Sequence, residues 1–139
     1  MKLQTYLMFD GRCEEAIEFY KRTLGAEVTA FKRYGENPEG CENGPPVPAD
    51  KVMHSALRIG DTVVFASDGM CSGKPSFQGF SLSLTAASDA EAARLFDALG
   101  AGGGQVQMPL AKSFFASSFG MVADKFGVSW MVLAGIVEA

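Results

Sequence analysis

The sequence is poor in the residues from which metal and redox sites are most often built. It has one histidine, His54, and three cysteines that lie far apart, Cys13, Cys41 and Cys71. No two cysteines are spaced as C-x-x-C, which argues against a zinc knuckle or a thioredoxin-like redox site. An odd number of scattered cysteines is typical of reduced thiols, so we expect a cytoplasmic protein.

Positive charge is also scarce and scattered. Twelve lysines and arginines stand against sixteen acidic residues, for a net charge of −4, and the adjacent basic pairs are 21–22 and 32–33. Nucleic-acid binding depends on clustered basic side chains, so we expect no nucleic-acid partner. No apolar run approaches the roughly 18 residues that cross a bilayer, and no secretory signal is recognisable at the N-terminus. We therefore expect no membrane association.

Common catalytic motifs are missing as well. The sequence contains no G-x-S-x-G elbow, no P-loop and no HExxH. Cys71 has no histidine near it in the sequence, which argues against a cysteine nucleophile. Motifs alone thus assign no catalytic residue and no cofactor.

The chain does contain the pattern of an ordinary folded domain, with 139 residues, 47% of them apolar and 20% charged. Hydrophobic periodicity predicts the order β-α-β-β-β twice. In the first half, the predicted strand, helix and three strands cover 3–9, 12–24, 26–34, 51–59 and 62–66. In the second half, they cover 80–85, 88–99, 102–108, 115–124 and 128–133.

Local signals mark the ends of these elements. Gly25 and Gly100 are expected to end the two helices, and Ser88 with Glu91 forms a capping-box pattern at the start of the second. The segment 35–50 is rich in glycine and proline. A loop of that length favours a role as a flap or an interface.

The two halves resemble each other. Residues 6–25 align without gaps to 81–100, and IGDTVVFA at 59–66 matches FGVSWMVL at 126–133. Such internal similarity is typical of duplication. We predict one α+β domain over 1–139, built from βαβββ modules at 1–68 and 77–139, with mixed sheets around a central cleft. Clefts of this kind are where small molecules usually bind.

Three segments together resemble the PhnB-like branch of the vicinal-oxygen-chelate superfamily, which includes glyoxalase I, bleomycin-resistance proteins and extradiol dioxygenases. They are YLMFDGRCEEAIEFYKRTLGAEV, KVMHSALRIGDTVVFASD and DKFGVSWMV. The resemblance covers nearly the whole chain. It implies a glyoxalase-like fold, a homodimer and a small-molecule ligand.

Members of this branch often carry the label 3-demethylubiquinone-9 3-methyltransferase. A methyltransferase of the common type needs a Gly-rich loop that opens a helix to hold its cofactor. The Gly-rich run at 100–104 instead follows a predicted helix. We interpret it as a cap and turn, and we do not expect methyl transfer.

The resemblance also implies where a metal would be held. Metal-using relatives take His, Gln or Glu ligands from the first and last strands of each half, and the matching positions here are Thr5, Val64, Ser81 and Met131. A shift of one residue gives Tyr6, Phe65, Phe80 and Trp130. Neither set contains a usual ligand for zinc, magnesium, manganese or iron. We therefore predict no metal ligand, and a ligand-binding role for Thr5, Val64, Ser81, Trp130 and Met131.

His54 matches a histidine that is typical of the branch. A lone imidazole can be a general base, a ligand anchor or a weak metal ligand, or simply a hydrogen-bonded side chain without chemistry. Arg58 is expected on the same face of its strand, because alternate residues point the same way. There it would either bind an anionic substrate or remain solvated. Both residues are candidates for ligand binding.

Three functional hypotheses follow. The first is a PhnB-like small-molecule-binding protein without the usual catalytic metal. The alternative is a metal-dependent enzyme of the glyoxalase or dioxygenase type that uses His54. The third is a structural or interaction protein with a collapsed cleft.

Overall fold

The structure is a computed structural model that describes residues 1–36, 47–69 and 75–137. The chain divides into two compact units, Met1–Pro75 and Ser76–Ala139. Predictions for Cys41, Cys71 and most of the 35–50 segment fall outside the described residues.

Over its described residues, the first unit contains one α-helix and a mixed four-stranded sheet. Its elements are β1 (Tyr6–Met8), α1 (Cys13–Leu24), β2 (Glu27–Arg33), β3 (Val52–Ile59) and β4 (Thr62–Ser67). A 3-10 turn, Tyr34–Glu36, follows β2. The strand order is β1-β4-β3-β2. The β1–β4 pair is parallel and the other two pairs are antiparallel.

The second unit repeats this arrangement. Its elements are β5 (Leu82–Thr85), α2 (Asp89–Gly100), β6 (Gln105–Ala111), β7 (Ala116–Ala123) and β8 (Ser129–Ile136). The strand order is β5-β8-β7-β6, again with one parallel pair, β5–β8. The predicted α+β fold with two βαβββ modules is therefore confirmed.

Each helix buries one apolar face on its own sheet. Cys13, Ala16, Ile17 and Tyr20 of α1 are buried at helical spacing, and α1 packs on β3. The buried face of α2 packs mainly on β7 and β8, and consists of Ala92, Leu95, Phe96 and Leu99. Burying each large side chain contributes about 1.5–3 kcal/mol. Neither described helix, at 12 residues, has the length to cross a bilayer.

The start of α1 is capped from a distant part of the chain. Its N-cap residue, Arg12, makes no side-chain capping bond. Instead Asp68, which follows β4 and is 1% exposed, accepts hydrogen bonds at Oδ1 from the backbone N–H groups of Gly11 and Cys13, each at 2.8 Å. Its Oδ2 accepts a third from the N–H of Val52 at 2.7 Å. Asp68 thereby joins the helix start, β3 and β4.

The start of α2 is capped locally, as predicted. Ser88 Oγ accepts a hydrogen bond from the N–H of Glu91 at 3.1 Å. Glu91 Oε2 accepts one from the N–H of Ala87 at 3.2 Å, one residue before the position that a capping box uses.

The ends of the helices differ from each other. Gly25 ends α1 in the left-handed conformation, with φ 66°, as predicted. The second helix also ends at Gly100, as predicted, but its C-cap is Ala101 with φ −71°, so no left-handed residue caps it there. The left-handed backbone comes later, at Gly102 and Gly103. These two residues form the turn, so β6 begins at Gln105, three residues later than the predicted strand.

Candidate functional site

A groove of about 840 Å³ lies on the face of the second sheet opposite α2. We call it the second-sheet groove. Residues of β6, β7 and β8 line it, together with the 77–81 segment that precedes β5. Its apolar surface includes Phe77, Phe80, Met121 and Met131. As far as the described residues define the groove, none of its lining side chains is ionisable.

A short chain of hydrogen bonds runs across this groove. Ser81 Oγ donates to Ser129 Oγ at 2.8 Å. Ser129 Oγ in turn donates to Gln107 Oε1 at 2.9 Å. Ser129 is only 8% exposed, so its hydroxyl holds the two more accessible side chains in place.

Two predicted binding residues, Ser81 and Met131, line the second-sheet groove. A third, Trp130, does not, because neighbouring residues of a strand point to opposite faces. Trp130 is 2% exposed and donates its indole N–H to Asp124 Oδ2 at 2.9 Å. The structure therefore places it in the core behind the groove.

In the first unit, the predicted binding residues Thr5 and Val64 do not present their side chains on the face of the sheet opposite α1. Val64 is 6% exposed and belongs to the core. Thr5 lies before β1, and its backbone oxygen accepts a hydrogen bond from the N–H of Phe65 at 2.9 Å. Their neighbours Tyr6 and Phe65 instead contribute rings to the face opposite α1, with centroids 6.1 Å apart.

The cause is a register difference of one residue in the last strand. The N–H of Phe9 bonds the oxygen of Ser67, and the N–H of Ala86 bonds that of Leu133. These equivalent bonds match Ser67 to Leu133, whereas the gapless sequence alignment matches Ala66 to Leu133. A slip of one residue exchanges the two faces of a strand. Phe65, rather than Val64, is thus the counterpart of Met131.

His54 lies among aromatic rings on the first sheet. Its ring centroid is 5.0 Å from that of Phe65 and 6.0 Å from that of Tyr6. Across the β2–β3 pair it stands opposite Lys32. Tyr6 contributes a hydroxyl group and His54 an imidazole to this aromatic cluster, which the sequence alone did not predict as a unit. The signal that could have revealed it is strand alternation, because alternate residues of paired strands point to the same face of the sheet.

Arg58 stands further along β3 and forms an ion pair with Glu27 of β2. The two side chains are directly opposite in the strand register and both are exposed. An exposed pair of this kind contributes little to stability, typically about 0–1 kcal/mol. The arrangement favours the solvated alternative for Arg58 over a role with an anionic ligand.

The side chains at the four positions that the strand register selects do not fit a divalent metal. Tyr6 pairs with Phe65 and Ser83 with Met131, so these positions provide two rings, a hydroxyl and a thioether. Zinc and iron sites use imidazole, carboxylate or thiolate ligands instead. Over residues 1–36, 47–69 and 75–137, no group of three or more His, Cys, Asp or Glu side chains is placed to hold a metal ion.

The Gly-rich run at 100–104 begins at the last residue of α2 and continues as a turn, as its interpretation predicted. Gly104 is required there by packing, since an added Cβ would lie 2.6 Å from the backbone oxygen of Ala123. The run joins α2 to β6 and opens no helix.

Comparisons with known proteins agree with this architecture. A family model described as 3-demethylubiquinone-9 3-methyltransferase matches residues 1–133. The protein YjdN of Escherichia coli K12 is 41% identical over 139 residues, which cover 95% of this chain and 94% of YjdN.

Solved structures give the same result. A PhnB protein from Bacillus cereus, also described as a 3-demethylubiquinone-9 3-methyltransferase, is 28% identical with a TM-score of 0.81, over 97% of this chain and 100% of its own. A glyoxalase-related enzyme from Fulvimarina pelagi, 18% identical, shares the fold with a TM-score of 0.65, over 97% and 88% of the two chains. The chain belongs to the PhnB-like family described as 3-demethylubiquinone-9 3-methyltransferase, whose fold is that of the glyoxalase and bleomycin-resistance proteins.

Proposed function

We propose that this chain binds a small uncharged molecule in the second-sheet groove, and that it does so without the catalytic metal of the metal-dependent superfamily members. One observation carries the proposal. The groove combines apolar side chains such as Phe80 and Met131 with a hydrogen-bonded polar chain, and its described lining has no ionisable group. Small-molecule sites typically have this composition, a largely apolar wall with a few oriented polar groups.

The same composition favours binding over catalysis at this groove. General acid–base catalysis needs a titratable side chain within hydrogen-bond reach of the reacting atom. The groove offers hydroxyl, amide, thioether and aromatic groups instead. An ionic ligand would lose its hydration there without gaining an opposite charge from the described lining, and this loss costs free energy.

The proposal is tested with N-phenyl-1-naphthylamine, an uncharged fluorescent probe. We expect saturable binding to the wild-type protein and a Kd that rises at least about tenfold in Met131→Lys, because a lysine introduced at this position must lose hydration or block the groove. Val106→Lys is the matched control. Val106 is an exposed residue of β6 between Gln105 and Gln107, and it points away from the groove.

The control variant should bind within about twofold of wild type, since its new charge remains solvated. Equal weakening in both lysine variants, or an absence of saturable binding to the wild type, would contradict the proposal. A thermal melt of each variant confirms that the fold is retained.

The alternative, an enzyme that uses His54, rests on the proximity of the His54 and Tyr6 rings on the first sheet. Elemental analysis separates it from a metal-free binding protein. Wild type and His54→Ala are each dialysed against Zn²⁺, Ni²⁺, Mn²⁺ or Fe²⁺ and then freed of loose metal. We expect no near-stoichiometric metal in either protein. Near-stoichiometric metal in wild type that disappears in His54→Ala would make the enzyme the leading hypothesis.

A homodimer and a cytoplasmic location are part of the same proposal, since the family resemblance implies the first and the scattered thiols favour the second. Sedimentation equilibrium at micromolar concentration tests the dimer. A mass equal to one chain would contradict it.

A further inference from the structure

We propose that the second-sheet groove selects ligands carrying a carboxamide-type group, in which a hydrogen-bond acceptor and a donor lie side by side on an otherwise apolar molecule. This inference rests on the proposed function, because it names the ligand class of the same groove. It is carried by the direction of the hydrogen bonds between Ser81, Ser129 and Gln107.

The direction of these bonds decides which groups remain for a ligand. A hydroxyl group has one proton to donate. The proton of Ser129 is used on Gln107 Oε1, and that of Ser81 is used on Ser129 Oγ. The amide NH₂ of Gln107, with its two N–H donors, therefore remains at one end of the chain. The acceptor lone pairs of Ser81 Oγ remain at the other end.

The position of Gln107 is fixed by the sheet beneath it. Gln107 belongs to β6 and Ser129 to β8, so the glutamine side chain reaches across the intervening strand β7. The β7 residue that opposes Ser129 is Ala123, whose small side chain leaves room for this crossing. Because Oε1 is held by Ser129, the amide cannot rotate freely, and Nε2 keeps a defined place.

A donor at one end and an acceptor at the other are the group types that a carboxamide complements. The carbonyl oxygen of the ligand accepts from Gln107 Nε2, and its N–H donates to Ser81 Oγ. A carboxylate of the same shape carries a charge that no cationic side chain of the described lining offsets, and this charge must be dehydrated. A hydrocarbon of the same shape displaces water from the Gln107 N–H groups without replacing its hydrogen bonds. The adjoining Phe77, Phe80 and Met121 provide apolar contacts for a flat ring.

The test compares three probes that share one ring system: 2-naphthamide, 2-naphthoate and 2-methylnaphthalene. Calorimetric or fluorescence titration of the wild-type protein should show the amide binding at least about tenfold more tightly than the other two. Gln107→Leu keeps the size of the side chain but removes its amide, and should reduce the preference for 2-naphthamide over 2-methylnaphthalene to about twofold or less. Gln105→Leu is the matched control, since Gln105 lines the same groove from the same strand but lies outside the hydrogen-bonded chain.

The outcomes distinguish this inference from the proposed function. Equal affinity for the three probes, or an amide preference that persists in Gln107→Leu, overturns the inference and leaves groove binding in place. Absence of binding by all three probes at millimolar concentration contradicts the proposed function itself. Gln107 is an exposed residue, so Gln107→Leu should fold normally, and a thermal melt checks this.

Discussion

Trp130 donates its indole N–H to Asp124 Oδ2 at 2.9 Å, and both side chains are buried. The other oxygen of Asp124 accepts from the N–H groups of Phe126 and Val128, at 2.9 and 3.1 Å. One carboxylate thereby holds the β7–β8 turn and the start of β8. Because Met131 follows Trp130 on the strand, this anchor also sets which side chain enters the second-sheet groove.

Replacing Asp124 by Asn should destabilise the protein by about 2 kcal/mol, because one of the three N–H donors then faces an amide NH₂. Urea denaturation followed by circular dichroism measures the change. The control is Asp97→Asn on the exposed side of α2, which should change stability by less than about 0.5 kcal/mol. Equal effects of the two substitutions would contradict a structural role for the Asp124 carboxylate.

Asp68→Ala should cost about 3 kcal/mol or more, because it leaves the N–H groups of Gly11, Cys13 and Val52 without their acceptor. The amide of Cys13 should also exchange its hydrogen much faster. Hydrogen exchange followed by NMR measures this directly. Asp61→Asn, in the exposed turn between β3 and β4, serves as the comparison, and unchanged exchange at Cys13 in Asp68→Ala would refute the capping role.

Cys13 should resist alkylation while the protein is folded. Burial, and secondarily the charge of Asp68, raises the pKa of this thiol to about 12. At pH 8 only about one thiol in ten thousand is then the reactive thiolate. Iodoacetamide labelling with peptide mapping should show modification of Cys13 only in denaturant. Labelling of Cys13 at comparable rates in native and denatured protein would contradict its burial.

The pKa of Asp89 should lie below its ordinary value of 3.8, because Ser117 Oγ and then Ser118 Oγ donate to its carboxylate. Since the folded value is lowered, the resulting stabilisation is present above about pH 3.8 and is lost as the pH falls through the folded value. NMR titration of the Asp89 carboxyl carbon measures the midpoint. It should return toward 3.8 in the Ser117→Ala, Ser118→Ala double variant. An unchanged midpoint there would exclude the hydroxyl groups as the cause.

Gly120→Ala should destabilise the second unit by roughly 1–3 kcal/mol through overpacking. An added Cβ would lie 2.8 Å from Phe96 Cε2 and 2.9 Å from the backbone Cα of Leu110. The Leu110 contact involves backbone, so β6 itself would have to move. Thermal unfolding measures the effect, and a variant as stable as wild type would show that β6 yields freely at this point.

The sequence was sufficient to predict the order of the secondary-structure elements and two residues that line the second-sheet groove. Helical spacing predicted both helices to within one residue at each end. Each helix buries one face, and this produces a clear hydrophobic periodicity in the sequences of α1 and α2. Ser81 and Met131, which were predicted from the sequence, do line the groove, and their role in binding stays a prediction.

In the first unit, the sequence did not predict which side chains share a face of the sheet. The strand at 62–67 is apolar on both faces at Val63, Val64, Phe65 and Ala66, so no alternation in the sequence fixes its register. Only the backbone pairing of Tyr6 with Phe65 shows which residues share a face. The contacts of Asp68 were also unpredictable, because they join residues 55 and 57 positions apart in the chain.

The different caps of α1 and α2 make the starts of the two helices depend on different parts of the chain. Ser88 and Glu91 are three residues apart, so the N-terminal cap of α2 lies entirely within its own segment. The N–H of Cys13 receives its acceptor only when Asp68 arrives, after the chain between them has been closed into a loop of 55 residues. Closing such a loop has an entropic cost that local structure avoids. We therefore expect the start of the second helix to be stabilised by local contacts alone, and the start of the first only once the strand that precedes Asp68 is in place.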